Sequence, residues 1–204
     1  AVEVAGSALG VRGDGLVVTT TARGYFKPVA GTANPAPRRF FAMASDPGRG
    51  VVVLFGGQLS GGGTPGDTWE WDGSAWKQVI PVDPEGDGNP PTWSNVPMAY
   101  DPVRGGVLLH TTNLWLWNGR SWKNLDQGKF NPGLQPDASM AWDVARGVLV
   151  SFGANYGNPT WEWDGTSWRD ATPAAPADSP PARSYHKVAW DPVRQRVVLF
   201  GGMT

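Results

Sequence analysis

The sequence predicts an all-β protein assembled from repeated four-stranded sheets, and three observations predict it. WEWDGSAW at 69–76 returns as WLWNGRSW at 115–122 and WEWDGTSW at 161–168, a period of 46 residues. A second motif runs in step with the first. It reads MASDPGRGVVVLFGG at 43–57, MAYDPVRGGVLLHTT at 98–112, MAWDVARGVLVSFGA at 140–154 and KVAWDPVRQRVVLFGG at 187–202. The 28 Gly and 19 Pro among 204 residues suit short strands joined by many turns.

Each copy of the second motif reads as a strand, a tight turn of the Asp-Pro-x-Arg type, and an apolar β-prone strand ended by glycine. These are strands a and b of a unit. The Asp side chain accepts from amides two residues on, and Pro presets the turn dihedral. The tryptophan motif reads as a second hairpin, strands c and d, with its alternating Trp residues on one side and Asp-Gly or Asn-Gly in the turn. One such sheet cannot bury both faces alone. Radial stacking about an axis buries them against each other, which is a small β-propeller. The tryptophans are then packing between blades and not a ligand platform.

A single domain over 1–204 follows, with units at approximately 36–82, 91–126, 135–172 and 183–204. The last unit lacks strands c and d. LVVTTTARGYFKPV at 16–29 is the candidate to supply them, since Tyr25 precedes Asp46 by 21 residues as Trp122 precedes Asp143. This predicts four blades, closed by pairing of the N-terminal strands with 184–202, and leaves 1–15 as an extension. A rival register sets 7–21 onto 98–112 as a fifth, degenerate unit, and a place within a larger ring also stays open.

PPARSYHKVAWDPVRQRVVLFGG at 180–202 and DTWEWDG at 67–73 resemble the Kelch family, particularly its bacterial form, over roughly residues 36–204. The resemblance implies the propeller. For activity it implies little, because that family includes interaction modules, sugar-binding domains and a few enzymes. Its copper oxidases use a cross-linked Cys–Tyr pair, which a chain without cysteine cannot form.

Composition excludes several classes. A net charge of −1 offers no basic stripe for nucleic acid. The absence of Cys rules out disulfides, thiol catalysis and Cys-ligated metals. No apolar run reaches the roughly 18 residues of a membrane span. No charged leader opens the sequence, so the chain is cytoplasmic or has lost one; a secreted or periplasmic location is favoured. No nucleophile motif, phosphate-cradling loop or metal triad is present.

The a–b and c–d turns are short and repetitive, whereas the b–c and d–a connections are long and varied. Function is expected on the varied face, around the mouth of the central channel. Eight positions before each turn Asp stand Arg38, Trp93, Gln135 and Arg183. Two Arg with a Trp suit a carboxylate or a sugar ring, and bonds to loop carbonyls are the plainer alternative. His110 replaces the Phe of the other units, and Asn113 and Tyr156 lie in b–c connections. These, with Arg38, Trp93 and Arg183, form the expected ligand set. His110 and His186 are the acid–base candidates if the protein is an enzyme, although local hydrogen bonding accounts for both. Asp83, Glu85, Asp87 and Asn89 alternate as at the start of a calcium loop, but Ser94 stands where that loop needs its bidentate Glu. No other cofactor is expected. The favoured function is a non-catalytic recognition module for a glycan, a small acidic ligand or a protein partner, with self-association also considered. An isomerase or lyase acting on an acidic sugar and a structural propeller are the alternatives.

Overall fold

The computed structural model describes residues 34–132, 137–153, 159–175 and 178–203, together with the backbone of two short strands, β1 (Val18–Thr20) and β2 (Phe26–Pro28). The first unit opens with β3 (Arg38–Arg39) and contains β4 (Ala42–Asp46), β5 (Val51–Phe55), β6 (Gln58–Leu59), β7 (Thr68–Trp71) and β8 (Trp76–Val79). The second holds β9 (Met98–Asp101), β10 (Gly106–His110), β11 (Leu114–Trp117) and β12 (Trp122–Asn124). In the third are β13 (Ser139–Asp143), β14 (Val148–Phe152), β15 (Thr160–Trp163) and β16 (Trp168–Asp170). The fourth comprises β17 (Lys187–Asp191) and β18 (Arg196–Phe200). The first three units are four-stranded antiparallel sheets ordered a-b-c-d, and β3 pairs with β6 beside the first. Inner strands β4, β9, β13 and β17 pack in succession, so the all-β propeller expected from the repeat is the architecture observed.

The turn residues act as their chemistry dictates. Asp101 Oδ1 accepts from the amides of Val103 and Arg104, at 2.8 and 3.1 Å, and Oδ2 accepts from Arg104 Nη1 at 2.9 Å. The equivalent Asp46, Asp143 and Asp191 bind Arg49, Arg146 and Arg194 in the same way. In the c–d turns, Asp72, Asn118 and Asp164 accept from backbone amides two and three residues on. Gly73, Gly119 and Gly165 follow them at φ 96°, 94° and 99°, a conformation closed to most side chains.

The tryptophans form the core between units. Trp117, Trp122 and Trp163 are almost wholly buried. Trp122 meets Phe55 of the preceding unit edge-on at 5.5 Å and donates through Nε1 to Thr68 Oγ1 at 3.0 Å. Trp117 donates to Glu70 Oε1 at 2.7 Å, also across the boundary. The turn arginines add a second tie. A Cβ on Gly119 would lie 2.5 Å from Arg49 Nη1, so glycine there admits the guanidinium of the preceding unit.

The N-terminal strands form a hairpin, but it does not join the fourth unit in the described ladders. β1 pairs with β2, and β17 pairs with β18 alone. The predicted pairing with 184–202 is therefore absent from the described ladders. Its register also differs from a c–d hairpin: five residues separate Thr20 from its partner Phe26, against four between Trp71 and Trp76. On β18, Phe200 is 84% and Val198 45% exposed, so that surface is left open by the described residues. Residues 1–17, 21–25 and 29–33 lie outside the described part of the chain.

Candidate functional site

Two cavities lie where the inner strands begin. The deeper, about 260 Å³, is walled by all four inner strands, with Met43, Met98, Met140 and Lys187 in its lining. The second, about 250 Å³, is lined by Phe40, Gln58, Ser94, Asn95, Asp137 and Tyr185. Phe40, Asn95, Asp137 and Tyr185 each stand six positions before their turn Asp, so one residue from every unit contributes. All four have left-handed backbone, at φ 56°, 59°, 90° and 61°.

Three of these tips are bonded to one another through their backbones. The Asn95 amide donates to the Phe40 carbonyl at 2.5 Å, and the Asp137 amide donates to the Asn95 carbonyl at 3.2 Å. The first three units are thus laced together at their tips, and with Tyr185 of the fourth, which lines the same cavity, these residues form a collar. Asn95 Nδ2 also donates to Asp137 Oδ1. Burial pushes the Asp137 carboxyl above its ordinary pKa, against the opposing pull of Lys187 and His186.

The described residues among those expected from the sequence lie outside the lining of both cavities. The Arg38 side chain is 4% exposed and donates to both Asp67 oxygens at 2.6 and 2.9 Å, to Gly56 O at 2.9 Å and to Ala36 O at 2.9 Å. Burial would raise the Asp67 carboxyl, but the bonds from Arg38 and Trp69 prevail and hold it below the usual range. Arg183 repeats the backbone part of that pattern, donating to Pro181 O and Gly201 O at 3.1 Å each. Trp93 packs against the core between the first two units, and its carbonyl accepts from Gly57. Gln135 and Tyr156 lie outside the described residues.

His110 is fully buried and stacked on Trp168, with ring centroids 5.0 Å apart. Its Nε2 faces Asn131 Oδ1 at 2.9 Å, and Asn131 Nδ2 donates to Asp126. Asn131 is therefore oriented as the acceptor, which puts the His110 proton on Nε2. Burial pulls the pKa down to about 4, opposed by the Asn131 bond and the Asp126 charge. Asp126 also accepts from Asn113 Nδ2 at 3.2 Å and from the Leu114 amide at 2.9 Å. The polar pair His110 and Asn113 thus braces the short b–c connection. His186 is likewise buried, edge-on to Phe152 at 5.2 Å, and burial lowers its pKa.

In the acidic loop, Asp83 accepts from the amides of Asp87 and Gly88 at 3.1 Å each, and Asp87 Oδ2 accepts from the Asn124 amide at 2.8 Å. No group of three His, Asp or Glu side chains placed to hold a metal occurs among the described residues.

A solved structure shares this architecture. The chain resembles the structure of YjhT with a TM-score of 0.61 and 13% identity, over 91% of its own length and 65% of that chain. It also matches a Trypanosoma rangeli sialidase in complex with 2,3-difluorosialic acid (a covalent intermediate), with a TM-score of 0.46 and 12% identity, over 92% of its own length and 37% of that chain. The chain thus spans under two thirds of either neighbour, and the likeness to the first is one of fold alone. Neither the family models nor the curated proteins match it. Fold and repeat together define a β-propeller protein of Trp-rich four-stranded blades.

Proposed function

We propose that the protein is a Kelch-like recognition module that holds its ligand, a glycan, small molecule or partner segment, at the channel mouth without transforming it. One observation carries this reading: both histidines are wholly buried, while the mouth cavity is lined by two exposed aromatic residues with amides, a hydroxyl and a single carboxylate. General acid–base work needs groups within hydrogen-bond reach of a substrate, and neither imidazole lines either cavity. Glycan-array binding by the whole chain, with the bound sugars recovered unchanged, is the expected result. Recovery of an altered sugar would overturn it.

A second reading, an isomerase or lyase acting on an acidic sugar, is favoured by Asp137. This carboxyl, raised in pKa by burial, shares the mouth with the Tyr185 hydroxyl. Raised carboxyl pKa values are one mark of acid–base sites. Its test is proton-NMR observation of acidic sugars incubated with the protein. Turnover abolished by Asp137→Asn would establish it.

A further inference from the structure

We infer that the collar grips a neutral sugar ring, with Phe40 and Tyr185 as stacking faces and Asp137 with Asn95 as the edge that bonds hydroxyls. This rests on the recognition reading above and narrows its ligand.

Left-handed backbone recurs at all four unit tips, and glycine or asparagine would adopt it cheaply. Two of the four are instead Phe40 and Tyr185, at φ 56° and 61°, where a bulky side chain is strained. Both rings stay 43% and 49% exposed, so core packing does not account for them. Both line the same cavity. Strain kept at the rim of a pocket, on side chains turned to solvent, is a recurring property of ligand clamps.

The remaining lining sets the ligand's charge. Gln58, Ser94 and Asn95 supply amides and a hydroxyl, and Asp137 supplies the one carboxylate. No cation is in this lining among the described residues. Of the cations nearby, Arg39 is held by Gln58 Oε1 at 2.9 Å and lies over the Phe40 ring at 5.2 Å, while Lys187, whose charge draws on Asp137, lines the deeper cavity instead. A ligand carboxylate would meet Asp137 with nothing in the lining to pair it. Ring hydroxyls would find acceptors and donors, and the apolar face of a pyranose would find an aromatic surface. The volume, about 250 Å³, is on the scale of a small ligand.

The test is saturation-transfer NMR on the whole chain. The neutral probes are maltose, cellobiose and lactose, and the acidic probes are glucuronic, galacturonic and N-acetylneuraminic acid. Phe40→Gly and Tyr185→Gly remove each ring while keeping the backbone conformation, so the fold should persist, checked by the melting transition. Transfer to at least one neutral sugar is expected, with affinity lowered about tenfold or more in either variant. Asp137→Asn should raise the signal of the acidic probes. Neutral binding unchanged in both glycine variants overturns the inference, as does silence from all six probes. Preference for an acidic probe over the neutral ones also overturns it but leaves the recognition reading standing, whereas chemical turnover of a probe removes that reading itself.

Discussion

Arg104 reaches out of its own unit and donates through Nη2 to the carbonyl of Gly165 at 2.7 Å, while its guanidinium lies 4.6 Å from the Trp163 ring. The same side chain neutralises Asp101, which is fully buried. One residue therefore closes a turn, stacks on the next blade and pairs a buried carboxylate. Arg104→Ala should destabilise the protein by about 2–4 kcal/mol, mostly by leaving Asp101 unpaired. Arg104→Lys should recover only part of this, since the planar group is what stacks. Urea unfolding measures both. A loss under about 0.5 kcal/mol would show that the tie between units carries no stability.

Trp163→Ala should cost about 3–5 kcal/mol, because the ring is 1% exposed and its removal leaves a cavity between the second and third units. A loss below about 1 kcal/mol would contradict its role as core.

His110 links stability to pH. Burial sets its folded pKa at about 4, against an ordinary value of 6.5. Protons therefore bind the unfolded chain first. The contribution is fully present above pH 6.5 and is lost as pH falls towards 4, a change of about 3 kcal/mol. His110→Phe, which installs the residue type of Phe55 and Phe152, should flatten that part of the pH profile even if it leaves Asn131 short of a partner at neutral pH. Urea midpoints for both proteins at pH 7 and 4.5 measure the difference. Equal slopes would contradict the assignment.

Arg38→Ala should lower stability by about 1–3 kcal/mol, since it strips a part-buried carboxylate, Asp67, of two charged bonds. Arg183→Ala, whose described bonds go to two carbonyls, should cost less than about 1 kcal/mol. Equal losses would mean that the Asp67 pair adds nothing.

The fold was largely legible. The 46-residue step between Trp69, Trp115 and Trp161, in phase with four turn motifs, demands repeated sheets. Trp spaced to alternate across a hairpin demands a partner face, and the structure supplies one in Phe55 and His110. Pairing of the N-terminal strands with each other was anticipated, but among the described residues their ladder joins no other. Spacing from Tyr25 to Asp46 did not reveal that register.

The site was less legible, for a physical reason. Arg38 and Arg183 drew attention as charged residues at equivalent positions, yet recurrence there reflects a shared bond to a carbonyl eighteen residues on. The collar residues share no side-chain type, being Phe, Asn, Asp and Tyr. What unites them is a backbone angle, which composition does not display. Asn95 and Asp137, tolerant of left-handed backbone, were the available signal.

The central claim is that recognition occurs at the mouth where the four units meet. The most direct measurement is a map of amide chemical-shift changes on titrating the whole chain with the best-bound sugar. Changes gathered at residues 40, 58, 94, 95, 137 and 185 are the predicted result. Changes gathered instead at the turns of Arg49, Arg104 and Arg146, on the opposite face, would contradict it.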